Sequence, residues 1–380
     1  MTIAFFASLF VLLYIYAGYP LVMFALSRLR QRGVAKGAFF PRVTIIISAY
    51  NEERHIGATI ANKLALDYPK DRLEIIVVSD GSDDSTDDIV RSFNQRGVRL
   101  IRQEPRQGKT SAVNLAVSKA GGEILVFSDA NSIYAPDALE HLVRCFADPE
   151  VGYVTGKMVY RTNEGSMVGQ GCSAYMRYEN LLRAWETLVG SVVGVDGGID
   201  AVRRELYMPM RPDQLPDFVL PLEVVARGYR VVYEPRALLV EDALKDAMDE
   251  YRMRVRVTLR ALWALWDMRN LLNPLRHGVF SMQLLSHKVL RYLAIIFMVT
   301  ALFTNMFLAA KSLVFRFLLV AQAVFYGAAA AGWAYGRKNA SLPNLLYIPY
   351  YFCLVNIAAA HAILKFLRGE KQVTWTPRKG

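Results

Sequence analysis

The stretch that decides the fold is VTIIISAYNEE (43–53), followed after an amphipathic segment by LEIIVVSDGSDDS (73–85). Each begins as a nearly continuous apolar run rich in β-branched residues, as expected for a strand covered on both faces, and each then turns abruptly polar. Residues 98–101 and 123–127 form two more such runs, the last leading into Ser128-Asp129-Ala130-Asn131-Ser132. Strands that alternate with loop or amphipathic helix predict an α/β domain on a mostly parallel sheet, spanning 41–242. Open parallel sheets bind ligands beyond the carboxyl ends of their strands, so the polar clusters at 48–53, 79–85 and 128–132 fall on one rim. Any one cluster reads equally well as helix N-cap punctuation, because Ser, Asp and Asn favour that position. Three carboxylate-rich clusters at strand ends together indicate a site.

Outward from this domain the chain becomes apolar at both ends. Residues 1–27 carry no charged side chain and are long enough to cross a hydrocarbon core of about 30 Å as a helix. They lack the basic n-region of a cleavable signal peptide, which favours an anchor. Arg28, Arg30, Arg32 and Lys36 follow directly, and the positive-inside rule puts such a cluster, and the domain after it, in the cytoplasm. Three further runs, 292–310, 317–336 and 345–364, are close to spanning length, giving C-terminal transmembrane helices over 290–365 and a basic tail over 366–380. Four crossings would place that tail outside, against the charge rule.

Residues 247–286 read as amphipathic interfacial helices. At 100° per residue Val255, Leu259, Leu262, Trp263 and Trp266 fall on one apolar stripe, with Arg252, Arg256 and Arg260 beside it, the pattern of a helix lying among headgroups. Much of the net charge of +11 flanks apolar runs, so membrane lipids rather than nucleic acid are the expected partner. The cysteines are Cys145, Cys172 and Cys353, without metal-ligand spacing and odd in number, which argues against a disulfide framework or a zinc site.

At its polar clusters the chain resembles the inverting family 2 glycosyltransferases of the GT-A fold, the group containing cellulose, chitin and hyaluronan synthases and exopolysaccharide enzymes. The carriers are Tyr50-Asn51-Glu52, Asp80-Gly81-Ser82, Gly108-Lys109, Asp129-Ala130-Asn131, Asp196-Gly197-Gly198 and Pro216-Asp217-Phe218, with the Arg-rich segment at 252–260. The resemblance implies a GT-A nucleotide-diphospho-sugar transferase domain with N- and C-terminal transmembrane helices. It assigns Tyr50, Glu52 and Asp80 to the nucleoside, where carboxylates accept hydrogen bonds from ribose hydroxyls or a base N–H. Lys109, Arg256 and Arg260 are implied at the diphosphate, and Asp129 and Asn131 at a divalent Mg or Mn ion that bridges donor phosphates. Asp217 is implied as the base that takes the acceptor proton.

The sequence departs from the family pattern in three places. Asn131 stands where the family carries a second acid, Pro216 replaces the first member of an acidic pair, and the processive enzymes' Gln-x-x-Arg-Trp is absent. The implied activity is transfer of a hexose from a nucleotide sugar, a UDP-sugar, to a polysaccharide or glycolipid acceptor. It belongs to a multi-pass inner-membrane protein facing the cytoplasm, with polysaccharide-export partners. Transfer to a polyprenyl phosphate is an alternative from the same resemblance; a non-catalytic subunit of a polysaccharide complex is one from another class. Trp375 and Arg378 resemble the end of the family's gating loop, which implies a cytoplasmic tail.

Overall fold

The computed structural model describes residues 1–161, 167–242, 247–336 and 344–374. The chain divides into an α/β unit, Leu26–Arg161 with Met176–Asp242 and Gln372–Gly380, and a helical unit, Met1–Ala25 with Thr162–Tyr175 and Ala243–Lys371.

The α/β unit is built on strands β1 (Val43–Ala49), β2 (Leu73–Ser79), β3 (Val98–Arg102), β4 (Ile124–Asp129), β5 (Ile133–Tyr134), β6 (Val151–Arg161), β7 (Ile199–Arg203) and β8 (Arg230–Asp242), in the order 3-2-1-4-7-6-8-5. The four apolar runs form β1 to β4, each extending one or two residues further toward the rim than its apolar stretch. The half 3-2-1-4 is wholly parallel, with Ala49 opposite Ser79 and Ser48 opposite Asp129. Strands β6 and β8 also pair in parallel, so four of the seven pairings among the described residues are parallel, as expected of a mostly parallel sheet. Strand β7 runs antiparallel to β4 and β6, and β5 antiparallel to β8. Because the chain leaves β1 toward β2 on one side and returns as β4 on the other, the order reverses at β1, and a crevice is expected beyond the carboxyl ends of β1 and β4.

Helices follow the strands: α1 (Thr2–Leu13) and α2 (Tyr19–Arg30) precede the sheet, and α3 (Ile56–Leu64), α4 (Thr86–Arg91), α5 (Lys109–Val117), α6 (Ala138–Arg144), α7 (Met167–Val189) and α8 (Pro216–Ala226) accompany it. Helix α3 buries Ile56, Thr59, Ile60 and Lys63, the one-face spacing of an amphipathic helix on a sheet. Helix α8 opens with Pro216 after an extended Leu215 and carries Asp217 in its first turn. Proline there is pre-set for helical φ, and an acid complements the N-terminal dipole.

In the helical unit three helices among the described residues are long and apolar enough to cross a membrane: Thr2–Arg30, Leu313–Tyr335 and Leu346–Leu367. The run at 292–310 falls in a bent pair of helices that are long and apolar enough only when taken together. Its helix is Ala294–Leu308, 15 residues, and it meets Val279–Tyr292 at a bend of 56°. At 1.5 Å per residue it reaches only about 22 Å, so it can join a span only as half of a broken pair. Within 247–286, read from sequence as amphipathic interfacial helices, part of the apolar stripe is covered by the helical unit itself. Val255 and Leu259 on the helix Ala247–Asp267 pack against Ala358 and Ala362, with Trp263 and Phe366 alongside. Trp263 Nε1 donates to the Glu370 carbonyl at 2.8 Å; Trp266 is 57% exposed.

Candidate functional site

The loops after β1 and β2 are stitched together. Asn51 sits at φ 53°, a left-handed conformation that Asn tolerates better than most residues. From there its Nδ2 donates to Asp83 Oδ1 at 2.5 Å and its Oδ1 accepts from Asp83 N at 3.0 Å. Glu53 N donates to Asp84 Oδ2 at 3.1 Å, Ser85 N donates to Glu53 Oε2 at 3.2 Å, and Glu52 N donates to Thr86 Oγ1 at 2.8 Å. The sequence reading took Asn51 only as part of a motif; the structure makes it the clasp between two motif loops.

Asp80 is completely buried. It accepts from Gln103 Nε2 at 2.5 Å, Gln107 N at 2.9 Å and Gly108 N at 3.0 Å, and pairs with Arg106 Nε at 3.5 Å. The carboxylate therefore folds residues 103–108 back onto β2. The Arg106 guanidinium lies 3.4 Å above the centre of the Tyr50 ring, so Tyr50, Asp80 and Arg106 form one cluster. Arg106 escaped the sequence reading; its signal was a cation just before Gly108-Lys109. Glu52 Oε2 faces His55 Nδ1 at 3.2 Å.

Gly108, at φ 95°, caps α5, and a Cβ there would lie 2.8 Å from the Val373 carbonyl oxygen. Val373 thus lies beside the N-terminus of α5. Trp375 and Arg378 lie outside the described residues. Lys109, the first residue of α5, directs its ammonium to Asp129 Oδ1 at the end of β4. Burial pushes this ammonium's pKa down, but the charges of Asp129 and Asp217 push it up and prevail. Lys109 therefore keeps its positive charge.

Asp217 is brought to the same place by a glycine. Gly197 sits at φ 83°, and a Cβ on it would come within 2.5 Å of Asp217 Oδ2; only a residue without a side chain allows that approach and that φ. Gly197 N donates to Asp200 Oδ2 at 2.9 Å, and the neighbouring Asp196 pairs with Arg183 at 2.6 Å, with side-chain exposures of 3% and 5%. Lys109, Asp129 and Asp217 are thus gathered at one end of the sheet. Arg256 is half-buried and Arg260 buried, and both belong to the helical unit.

Asp200, missed from sequence, is 1% exposed. Burial raises its pKa from 3.8 to about 7; hydrogen bonds from Thr155 and Tyr153 oppose this, and the Asp196 and Asp217 charges reinforce it. Between these two values the folded chain holds a proton that the unfolded chain releases, so stability falls as pH rises from about 4 to about 7 and levels off above. A thermal-midpoint series over this range should show that slope in the parent and a flatter one in Asp200→Asn. Identical slopes would remove Asp200 as its source.

The residues fit a divalent cation held largely by its substrate. No group of three His, Cys, Asp or Glu able to hold a metal exists among the described residues, whereas the Asp129 side chain is 34% exposed and Asn131 stands partly open beside it. Mg-type sites commonly take one or two carboxylates and complete their shell with phosphates and water.

Residues 44–206 match Glycosyl transferase family 2. The poly-beta-1,6-N-acetyl-D-glucosamine synthase of Staphylococcus aureus (strain COL) is 28% identical over 203 residues, covering 52% of this chain and 48% of that protein. The probable glycosyltransferase YdaM of Bacillus subtilis (strain 168) is 28% identical over 231 residues, covering 57% and 54%. The chain thus spans about half the length of these curated relatives. Among solved structures, a mannosyltransferase from Pyrobaculum calidifontis, in complex with GDP-Man and Mn2+, superposes with a TM-score of 0.73 at 25% identity, over 96% of this chain and 99% of that one. The strand order, the gathered rim residues and these likenesses agree: residues 44–206 form a Glycosyl transferase family 2 domain within a GT-A-like α/β unit.

Proposed function

We propose that this protein is an inverting glycosyltransferase that moves a hexose from a nucleotide sugar to a polysaccharide or glycolipid acceptor at the membrane. The observation that carries the reading is the meeting of Lys109 with Asp129 at the rim, with Asp217 close enough for its charge to act on Lys109. In this reading Tyr50 and Glu52 hold the nucleoside, and Asp80 acts behind them by fixing the loop of residues 103–108. Lys109 neutralises the diphosphate, and Asp129 and Asn131 hold the divalent ion. Such an ion, when bound, supplies a positive charge that stabilises the departing diphosphate. Asp217 accepts the proton of the acceptor hydroxyl as that oxygen attacks the anomeric carbon and the diphosphate leaves.

The domain is assigned to the cytoplasmic face of an inner membrane. Three crossings, rather than four, would keep the domain and the basic tail on one side, in accord with the positive-inside rule. A UDP-sugar is the first donor to try; a GDP-sugar is the second, because the solved relative matching nearly the whole chain holds GDP-Man. The full chain in nanodiscs, given Mg or Mn, a panel of UDP- and GDP-sugars and membrane lipids, is expected to release nucleoside diphosphate with one donor. A polyprenyl-phosphate sugar as product would redirect the acceptor to a lipid phosphate. Nucleotide binding without release from any donor would sink the catalytic reading in favour of a binding subunit.

A further inference from the structure

Lys63 is completely buried, on the inner face of α3. A buried ammonium is costly to desolvate, and that face otherwise carries Ile56 and Ile60, so a packing role alone would be served better by an apolar side chain. What the position gains is donors. Lys63 Nζ donates to the Ser132 carbonyl at 2.6 Å and to Asn62 Oδ1 at 3.1 Å, and it lies 3.4 Å from the centre of the Tyr134 ring. Its neighbours grip the same segment: Thr59 Oγ1 donates to the Ala130 carbonyl at 2.6 Å, and Asn62 exchanges two hydrogen bonds of 2.9 Å with the backbone of Tyr134.

The segment is held from its other side as well. Ser132 Oγ donates to Glu241 Oε1 at 2.5 Å, and the Tyr134 hydroxyl donates to the Gly198 carbonyl at 2.8 Å. Burial drives the Lys63 ammonium's pKa well down, and the Glu241 charge opposes this. Ala130 and Ser132 are thereby fixed inward, while Asp129 and Asn131, alternating with them, stay partly open. The buried lysine holds the backbone between the two residues read as metal ligands and the sheet.

We propose that Lys63, with Thr59 and Asn62, is a positioning residue for the divalent-metal site at Asp129 and Asn131. It acts through the carbonyl of Ser132 and touches neither metal nor donor. The inference rests on the metal reading given above. Outer groups that orient metal ligands typically contribute 10- to 100-fold in metal affinity, so Lys63→Met should weaken Mn2+ binding by about tenfold or more.

The test titrates Mn2+, with UDP as the accompanying nucleotide, into the full chain in nanodiscs and reads free Mn2+ by electron paramagnetic resonance. Thermal midpoints are measured in parallel, because a residue that merely stabilises the fold would lower the midpoint without changing affinity in the folded protein. Weakened binding in folded Lys63→Met, with binding lost in Asp129→Asn, is the expected result. Parent-like binding in folded Lys63→Met, with binding still lost in Asp129→Asn, overturns the role of Lys63 and leaves the metal reading standing. Binding unaffected by Asp129→Asn overturns the metal reading and the inference with it. Should Lys63→Met fail to fold, Thr59→Val replaces it: several-fold weaker binding supports the clamp and unchanged binding refutes it.

Discussion

Asp217→Asn is expected to lower the rate of nucleoside diphosphate release by about 10²- to 10⁴-fold, the usual contribution of a positioned general base, with donor affinity changed only a few-fold. The side chain stays the same size, and Asp217 is only half-buried in the first turn of α8 and is not one of that helix's buried residues, so the fold should tolerate the change. The substitution removes only the ability to take a proton. Its place is set from outside the helix by Gly197, whose missing side chain leaves room for the carboxylate. Gly197→Ala should therefore lose activity in the same direction although it touches no titratable group. Rates measured at saturating donor and acceptor check both variants; an Asp217→Asn enzyme with parental turnover would mean that the base lies elsewhere.

Lys109→Met is expected to reduce kcat/KM for the donor by about 10²- to 10³-fold, the magnitude seen when one preorganised group facing developing charge is removed. Lys109 keeps its charge despite burial because Asp129 and Asp217 stand near it. Without donor, that positive charge offsets the two carboxylates; with a nucleoside diphosphate bound, it would meet phosphate oxygens. Met removes the charge while nearly preserving the length of the side chain, so packing at the start of α5 should change little. Two signatures separate this role from a structural one. Nucleoside diphosphate binding should weaken in Lys109→Met more than in Asp217→Asn, and the thermal midpoint should stay close to the parent's. A loss of stability with donor affinity intact would identify the ion pair with Asp129 as architectural.

Asp80 illustrates where a motif and its geometry diverge. The strand-end position of the SDGS segment was plain from the apolar run before it, yet nothing local indicated that the carboxylate turns inward to hold residues 103–108. Those donors lie more than twenty residues away and reach it only because β2 and β3 pair in parallel. Arg106 over Tyr50 has the same origin, a contact between loops that only the sheet makes neighbours.

The helical unit adds detail that local sequence lacks, for a related reason. The stripe Val255, Leu259, Leu262, Trp263 and Trp266 was rightly seen as one apolar face, but periodicity cannot name what covers it. A helix against lipid headgroups and a helix against Ala358 and Ala362 carry the same stripe. Likewise, composition marked 292–310 as apolar but could not reveal the break before Ala294 or the bend of 56°.

The sequence by itself determined the parallel half of the sheet, the rim where its polar clusters fall, and the apolar segments at both ends, because each is written in local periodicity and in the residues that end a strand. The tertiary structure decided the antiparallel insertion of β7, the inward turn of Asp80, the Gly197 seat of Asp217, the burial of Asp200 and the clamp from Lys63 to Ser132. These depend on pairings between residues far apart in the chain, where the energy of a buried charge is set by groups that no local pattern can supply.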